Sequence, residues 1–154
     1  MKIVDIATEI YTNNSEPSDT SIPAISYWVK SNVGKMNSFV FTSFVVNASS
    51  EIIDEDGLEI DIDAAAILKQ MWQVDRYDTL IASRLTSLET NDVIEYSEGG
   101  STIRSTNKNE VIKSIRTLKE SESLELNTLI AGYKIKGASP RQVAGDDTTE
   151  GLLP

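Results

Sequence analysis

The chain has 154 residues, 40% of them hydrophobic and 25% charged, which is one domain of ordinary globular composition with enough material for a core. It contains neither histidine nor cysteine, which excludes disulfides, thiolate chemistry, zinc–thiolate sites and imidazole-based triads and leaves an enzyme only carboxylates, lysines or tyrosines. Twenty-four acids against fourteen bases give a formal charge of -10, which opposes capture of DNA through its phosphates and suits a surface that lies near DNA without holding it.

No stretch approaches the roughly 20 apolar residues of a membrane-spanning helix. Asp5 interrupts the first apolar run, and no small-residue cleavage pattern follows it, so no secretory signal is expected. Ile3, Ile6, Ala7 and Ile10 form the stripe of a short amphipathic helix ending near Asn13-Asn14. Residues 15–20 read as a turn and capping segment. A second helix then carries Ala24, Ile25, Trp28, Val29, Val33 and Met36 on one face, with Pro23 in its first turn, where a missing N–H removes no helical bond.

From Asn37 to Asn47 aromatic and β-branched residues occupy both faces, which predicts a short buried extended segment. The acidic stretch from Glu51 to Asp63 reads as a loop. Ile52 stands five positions before Gly57, where a calcium-binding EF-hand loop needs Asp, so a calcium site is not expected and no metal or cofactor is assigned.

A third helix is predicted from about Asp63 to Leu88. Its seam is Ile67, Met71, Val74, Ile81, Leu85 and Leu88, widened by Ala64 and Leu68. Trp72 and Tyr77 fall beside that seam and are expected to cover another helix or, less simply, a neighbouring subunit. Residues 93–104 resemble two strands around Gly99-Gly100, a hairpin between the two longest helices, and no phosphate-binding glycine motif is present.

The fourth helix begins with Asn107 as its cap and Glu110 three residues on. Its seam is Val111, Ile115, Leu118, Leu126, Leu129 and Tyr133, and Gly137 is its expected stop. Glu122 interrupts this seam. A buried acid there is expected to pair with a Lys or Arg of a facing helix or to lie at an interface; a catalytic acid would need a second carboxylate, and none is evident. The two long helices should pack antiparallel. The fold class is therefore mainly α: a small four-helix bundle with a short β-hairpin or extended segments, spanning residues 1–137, followed by an extended C-terminal tail, 138–154.

That tail holds glycine, proline and adjacent like charges, too little apolar surface to offset the entropy of ordering it alone. Contact with a neighbouring subunit or partner is expected to hold it, the alternative being a fold back onto its own domain.

With this order of elements, the segments Pro17-Ser18-Asp19-Thr20-Ser21-Ile22-Pro23, Asn32-Val33-Gly34-Lys35-Met36-Asn37, Asn107-Lys108-Asn109-Glu110 and Pro140-Arg141-Gln142-Val143-Ala144-Gly145 resemble a tailed-bacteriophage head-to-tail connector protein, the neck adaptor beneath the portal. The resemblance covers nearly the whole chain, on short motifs. It implies a structural, non-enzymatic virion protein without cofactors, made in the host cytoplasm and located in the neck between capsid and tail. It also implies a ring of identical copies, usually twelve, that binds the portal protein and other neck or tail proteins, with DNA only passing through the channel and no membrane involved. Under that role Arg141, Gln142, Val143, Leu152 and Leu153 are the expected contacts to portal or neighbouring subunit, because arginine can pair bidentately with a carboxylate and aliphatic side chains can fill pockets. The competing reading is a helical protein-interaction module or regulatory subunit outside a virion.

Overall fold

The structure is a computed structural model and describes residues 1–88, 95–98, 101–104 and 108–138. Among these residues the chain forms α1 (Ile3–Asn13), α2 (Ile22–Val40), β1 (Val45–Val46), β2 (Ile52–Ile53), α3 (Ile62–Leu88), β3 (Glu95–Glu98), β4 (Ser101–Arg104) and α4 (Lys108–Ala138). The mainly helical class read from the sequence is the observed one.

The core is built where α1, α2 and the first half of α3 meet. Ile3, Ile6, Ala7 and Ile10 of α1 are buried against Ile25, Val29, Val33, Met36 and Val40 of α2 and against Ala64, Ala65, Ile67, Leu68, Met71 and Trp72 of α3. Each set follows the three-and-four spacing of one helical face, and full burial of one such aliphatic side chain stabilises by about 1.5–3 kcal/mol. Trp72 thus belongs to the intramolecular core, while Tyr77 is half-buried and accepts a 3.4 Å bond from Gln73 Nε2.

Caps set the helix starts. Asp5 Oδ2 accepts the Lys2 N–H at 3.2 Å, Ser21 Oγ accepts from Ala24 N at 3.4 Å, and Asp61 Oδ1 accepts from Ala64 N at 2.8 Å. Each side-chain oxygen occupies a place that the first turn of a helix leaves without an intrahelical partner.

The predicted extended segment Asn37–Asn47 is only partly extended. α2 continues through Val40 because Met36 and Val40 prolong its buried stripe, and that burial outweighs the β preference of Phe39 and Val40. Phe41 then takes a left-handed conformation, φ 58°, and the chain turns into β1.

The acidic stretch is more ordered than a loop. β2 pairs antiparallel with β1, Val45 opposite Ile53 and Val46 opposite Ile52, and single bridges join Lys2 to Glu51 and Ile53 to Glu59. Asp54 Oδ1 accepts the amides of Asp56 (3.0 Å) and Leu58 (2.8 Å), while Gly57 turns at φ 77°, so Asp54 shapes a turn. Asn47 does the same for the β1–β2 connection, its Oδ1 accepting from Ser49 and Glu51 N–H, each at 2.9 Å.

α3 and α4 run antiparallel, as expected. From the start of α3 onward, Asp63 meets Lys136, Gln70 meets Glu122 and Asp78 meets Lys119, so contacts ascend one helix as they descend the other. At 1.5 Å per residue the 31-residue α4 is about 46 Å long. Its lower part lies against the core through half-buried Leu126, Leu129, Ile130 and Tyr133.

Farther out, α3 and α4 pack along each other, joined by the Asp78–Lys119 pair. Leu118 is 51% exposed and Leu85 45%, so neither is the buried seam residue expected of it, whereas Ile112, outside the expected seam, is 5% exposed. Where few elements surround a helix, a difference in helix phase decides which side chain is covered. The helix also passes through Gly137 to Ala138, so Gly137 is not its left-handed stop.

β3 and β4 form the predicted hairpin, with Glu95 opposite Arg104 and Glu98 opposite Ser101. Gly99-Gly100 and the Asn107 cap lie outside the described residues.

Candidate interaction surface

The five residues assigned to partner contact, Arg141, Gln142, Val143, Leu152 and Leu153, lie outside the described residues. The surface from which that tail departs is defined by the last turns of α4. Tyr133 donates its hydroxyl to Asp61 Oδ2 at 2.8 Å, and Lys136 pairs with Asp63. Both acids belong to the segment that starts α3, so the end of α4 is fastened to the beginning of α3 by the same Asp61 that caps it.

Electrostatics follow from this clamp. Burial, then the hydrogen bond and negative charge of Asp61, then the charge of Asp63, raise the Tyr133 hydroxyl from 10.0 to about 12. Asp63 likewise raises the Lys136 ammonium, first through their hydrogen bond and then through its charge.

Beside this clamp the Lys134 ammonium sits 4.5 Å from the centre of the Phe41 ring, within cation–π range. Phe41 is 81% exposed. The turn carrying it is pinned by Asn37, whose Nδ2 donates to Phe44 O at 2.7 Å and whose Oδ1 accepts from Phe44 N at 3.1 Å and from Thr42 Oγ1 at 3.0 Å. Sequence reasoning did not single out Phe41 or Lys134, because they meet only in the tertiary structure; the Asn at position 37 was the one available sign of a turn.

Glu122 has a partner in its own chain. Gln70 Nε2 of α3 donates to Glu122 Oε2 at 2.7 Å and to Glu122 O at 3.0 Å. The expected cation is replaced by an amide, which satisfies the carboxylate without adding charge. The surrounding cleft of roughly 290 Å³, lined by Asn13, Asn14, Lys69, Gln70, Gln73 and Glu125 among others, is polar.

A second cleft, about 200 Å³ between α2 and α3, is closed by side-chain pairing. Trp28 Nε1 donates to Asp75 Oδ2 at 2.9 Å, and Arg76 donates to Asn14 Oδ1 at 3.1 Å, lies 3.6 Å from Asp19 and stacks 5.4 Å from the Trp72 ring centre. With its polar atoms so committed, this cleft is a lock between α1, α2 and α3.

Among the described residues no group of three or more acidic side chains is placed to hold a metal ion, and no helix is long and apolar enough to cross a membrane. No protein-family model, curated protein or solved structure matches the chain.

Proposed function

We propose that this chain is a structural virion protein, the adaptor ring of a tailed-phage head-to-tail connector, which binds the portal and neighbouring copies of itself and extends the DNA channel toward the tail. The observation that carries this reading is the layout of the molecule. A packed helical base supports a long antiparallel helix pair; the hairpin connection joins the far ends of that pair, and the tail leaves from the base.

Three of the four connector-like segments fall at the junctions of this layout, and the fourth, Asn32–Asn37, lies within α2. Pro17–Pro23 is the α1–α2 turn and α2 start, Asn107–Glu110 precedes and opens α4, and Pro140–Gly145 follows it. The charge of -10 supports the same reading, since a channel wall must let a polyanion slide without gripping it. Arg141, Gln142, Val143, Leu152 and Leu153 are the proposed contacts to the portal or a neighbouring subunit. The role is non-catalytic and needs no cofactor, and the location is the virion neck.

Electron microscopy and native mass spectrometry of the purified chain, alone and with portal-containing heads, test this. Closed rings or decoration of the portal vertex are expected. A chain that stays monomeric and never joins those heads overturns the reading in favour of a helical interaction module.

A further inference from the structure

Phe41 is held where a side chain is disfavoured. Its left-handed conformation, φ 58° at the end of α2, is the position that glycine normally takes, yet the ring is 81% exposed and the Asn37 bonds to Thr42 and Phe44 prevent the turn from relaxing. Val45, next after Phe44, is also exposed. Lys134 covers part of the ring and makes no ion pair among the described residues. The result is a fixed aromatic knob with an adjoining aliphatic side chain and, over the ring, a cation with no ion pair among the described residues.

The chain itself contains a segment of the opposite character. Asp146, Asp147 and Glu150 are followed, after Gly151, by Leu152 and Leu153, so acids lie close in sequence to two aliphatic side chains. This segment lies downstream of α4, whose last turns carry Lys134. Copies bearing -10 repel one another overall, and a contact that sets these acids against Lys134 relieves part of that repulsion locally.

We infer that the Phe41–Val45 turn with Lys134 receives the acidic, leucine-ended segment 146–153 from a second copy of this chain. The inference rests on the ring reading and deepens it. Each copy then carries one donor and one acceptor, a head-to-tail contact that repeats and closes into a ring if the rotation permits. The leucines pack on the Phe41 ring and Val45, and the acids approach Lys134. Each contact is modest and gains strength from the number of copies engaged.

The test uses sedimentation velocity and native mass spectrometry on the full chain, a Phe41→Gly variant and a chain ending at Ala138. Every core residue among those described lies before Ala138, so the shortened chain is expected to keep the fold, which its cooperative melting checks. Glycine suits the left-handed position, so Phe41→Gly should melt no lower than the parent. Self-association of the parent is expected to weaken at least about tenfold in each altered chain, as for loss of an aromatic anchor. The two altered chains mixed together should form a one-to-one complex and stop there, because one supplies only the tail and the other only the turn. A full-length Lys134→Glu, Asp147→Lys double variant should recover association that Lys134→Glu alone loses.

Parent-like assembly by Phe41→Gly overturns the inference and leaves the adaptor reading standing. A monomeric parent whose Phe41 turn is protected from hydrogen exchange only when the tail is present also overturns it, because the tail then covers its own chain. A parent that associates through Phe41 yet never joins portal-containing heads removes the adaptor reading and keeps this contact.

Discussion

The base and the arm of this molecule are made from the same kind of amphipathic helix but differ in burial. In the base, α1, α2 and the first half of α3 surround one another, and Ile6, Ile25, Val29, Met36 and Leu68 lose all contact with solvent. In the arm, the described part of α3 beyond Arg76 packs along the first half of α4, and Ile112 is the one residue in the buried class among those whose exposure is described there. The number of neighbours, more than the helical pattern, sets how much apolar surface leaves water. Stability should therefore concentrate in the base, while the arm follows it at lower local stability.

The sharpest way to break this comparison is to cut the same amount from each region. Leu68→Ala removes a fully buried side chain from a site enclosed by several elements and should cost about 2–5 kcal/mol, read as a large fall in melting temperature. Ile115→Ala, at a half-buried arm position, should cost about 1 kcal/mol, because water already reaches the site. Equal losses would mean that the arm is as enclosed as the base. Hydrogen exchange adds a direct reading: amides of residues 110–120 should exchange faster than those of residues 64–72.

Glu122→Gln tests the polar contact at the boundary between the regions. The backbone carbonyl and the new amide oxygen both remain able to accept from Gln70, so the change should cost no more than about 1 kcal/mol and leave assembly unaltered. A changed oligomeric state would place Glu122 at an interface between copies. Lys119→Ala removes the arm's exposed pair with Asp78 and should cost about 0–1 kcal/mol, less at high salt.

The effect confined to the narrowest conditions is the pH response of the clamp, which appears only in strong alkali. Because the folded Tyr133 hydroxyl titrates at about 12 and its unfolded form near 10.0, its contribution is complete below pH 10 and declines as pH rises toward 12. Tyrosinate absorbance should include a late-ionising component from Tyr133, and Asp61→Asn should bring it earlier. No late titration in the parent would detach the end of α4 from α3.

The sequence by itself determined the helices. Stripes such as Ile3, Ile6, Ala7 and Ile10 need one buried face to lie along one side of a helix, and Pro23 requires the start of one, so the mainly helical class and the antiparallel long pair were legible from periodicity and loop order. Lack of histidine and cysteine likewise limited the available chemistry without any coordinates. Tertiary structure alone decided the outcomes that depend on which elements become neighbours. Val40 stays helical because its face meets the core, Leu118 is exposed and Ile112 buried because packing of α4 along α3 sets the helix phase, and Glu122 accepts from Gln70, 52 positions away. The juxtaposition of Phe41 with Lys134 has the same origin: periodicity reports which side of a helix is apolar, but a contact between the end of α2 and the end of α4 exists only after the chain has packed.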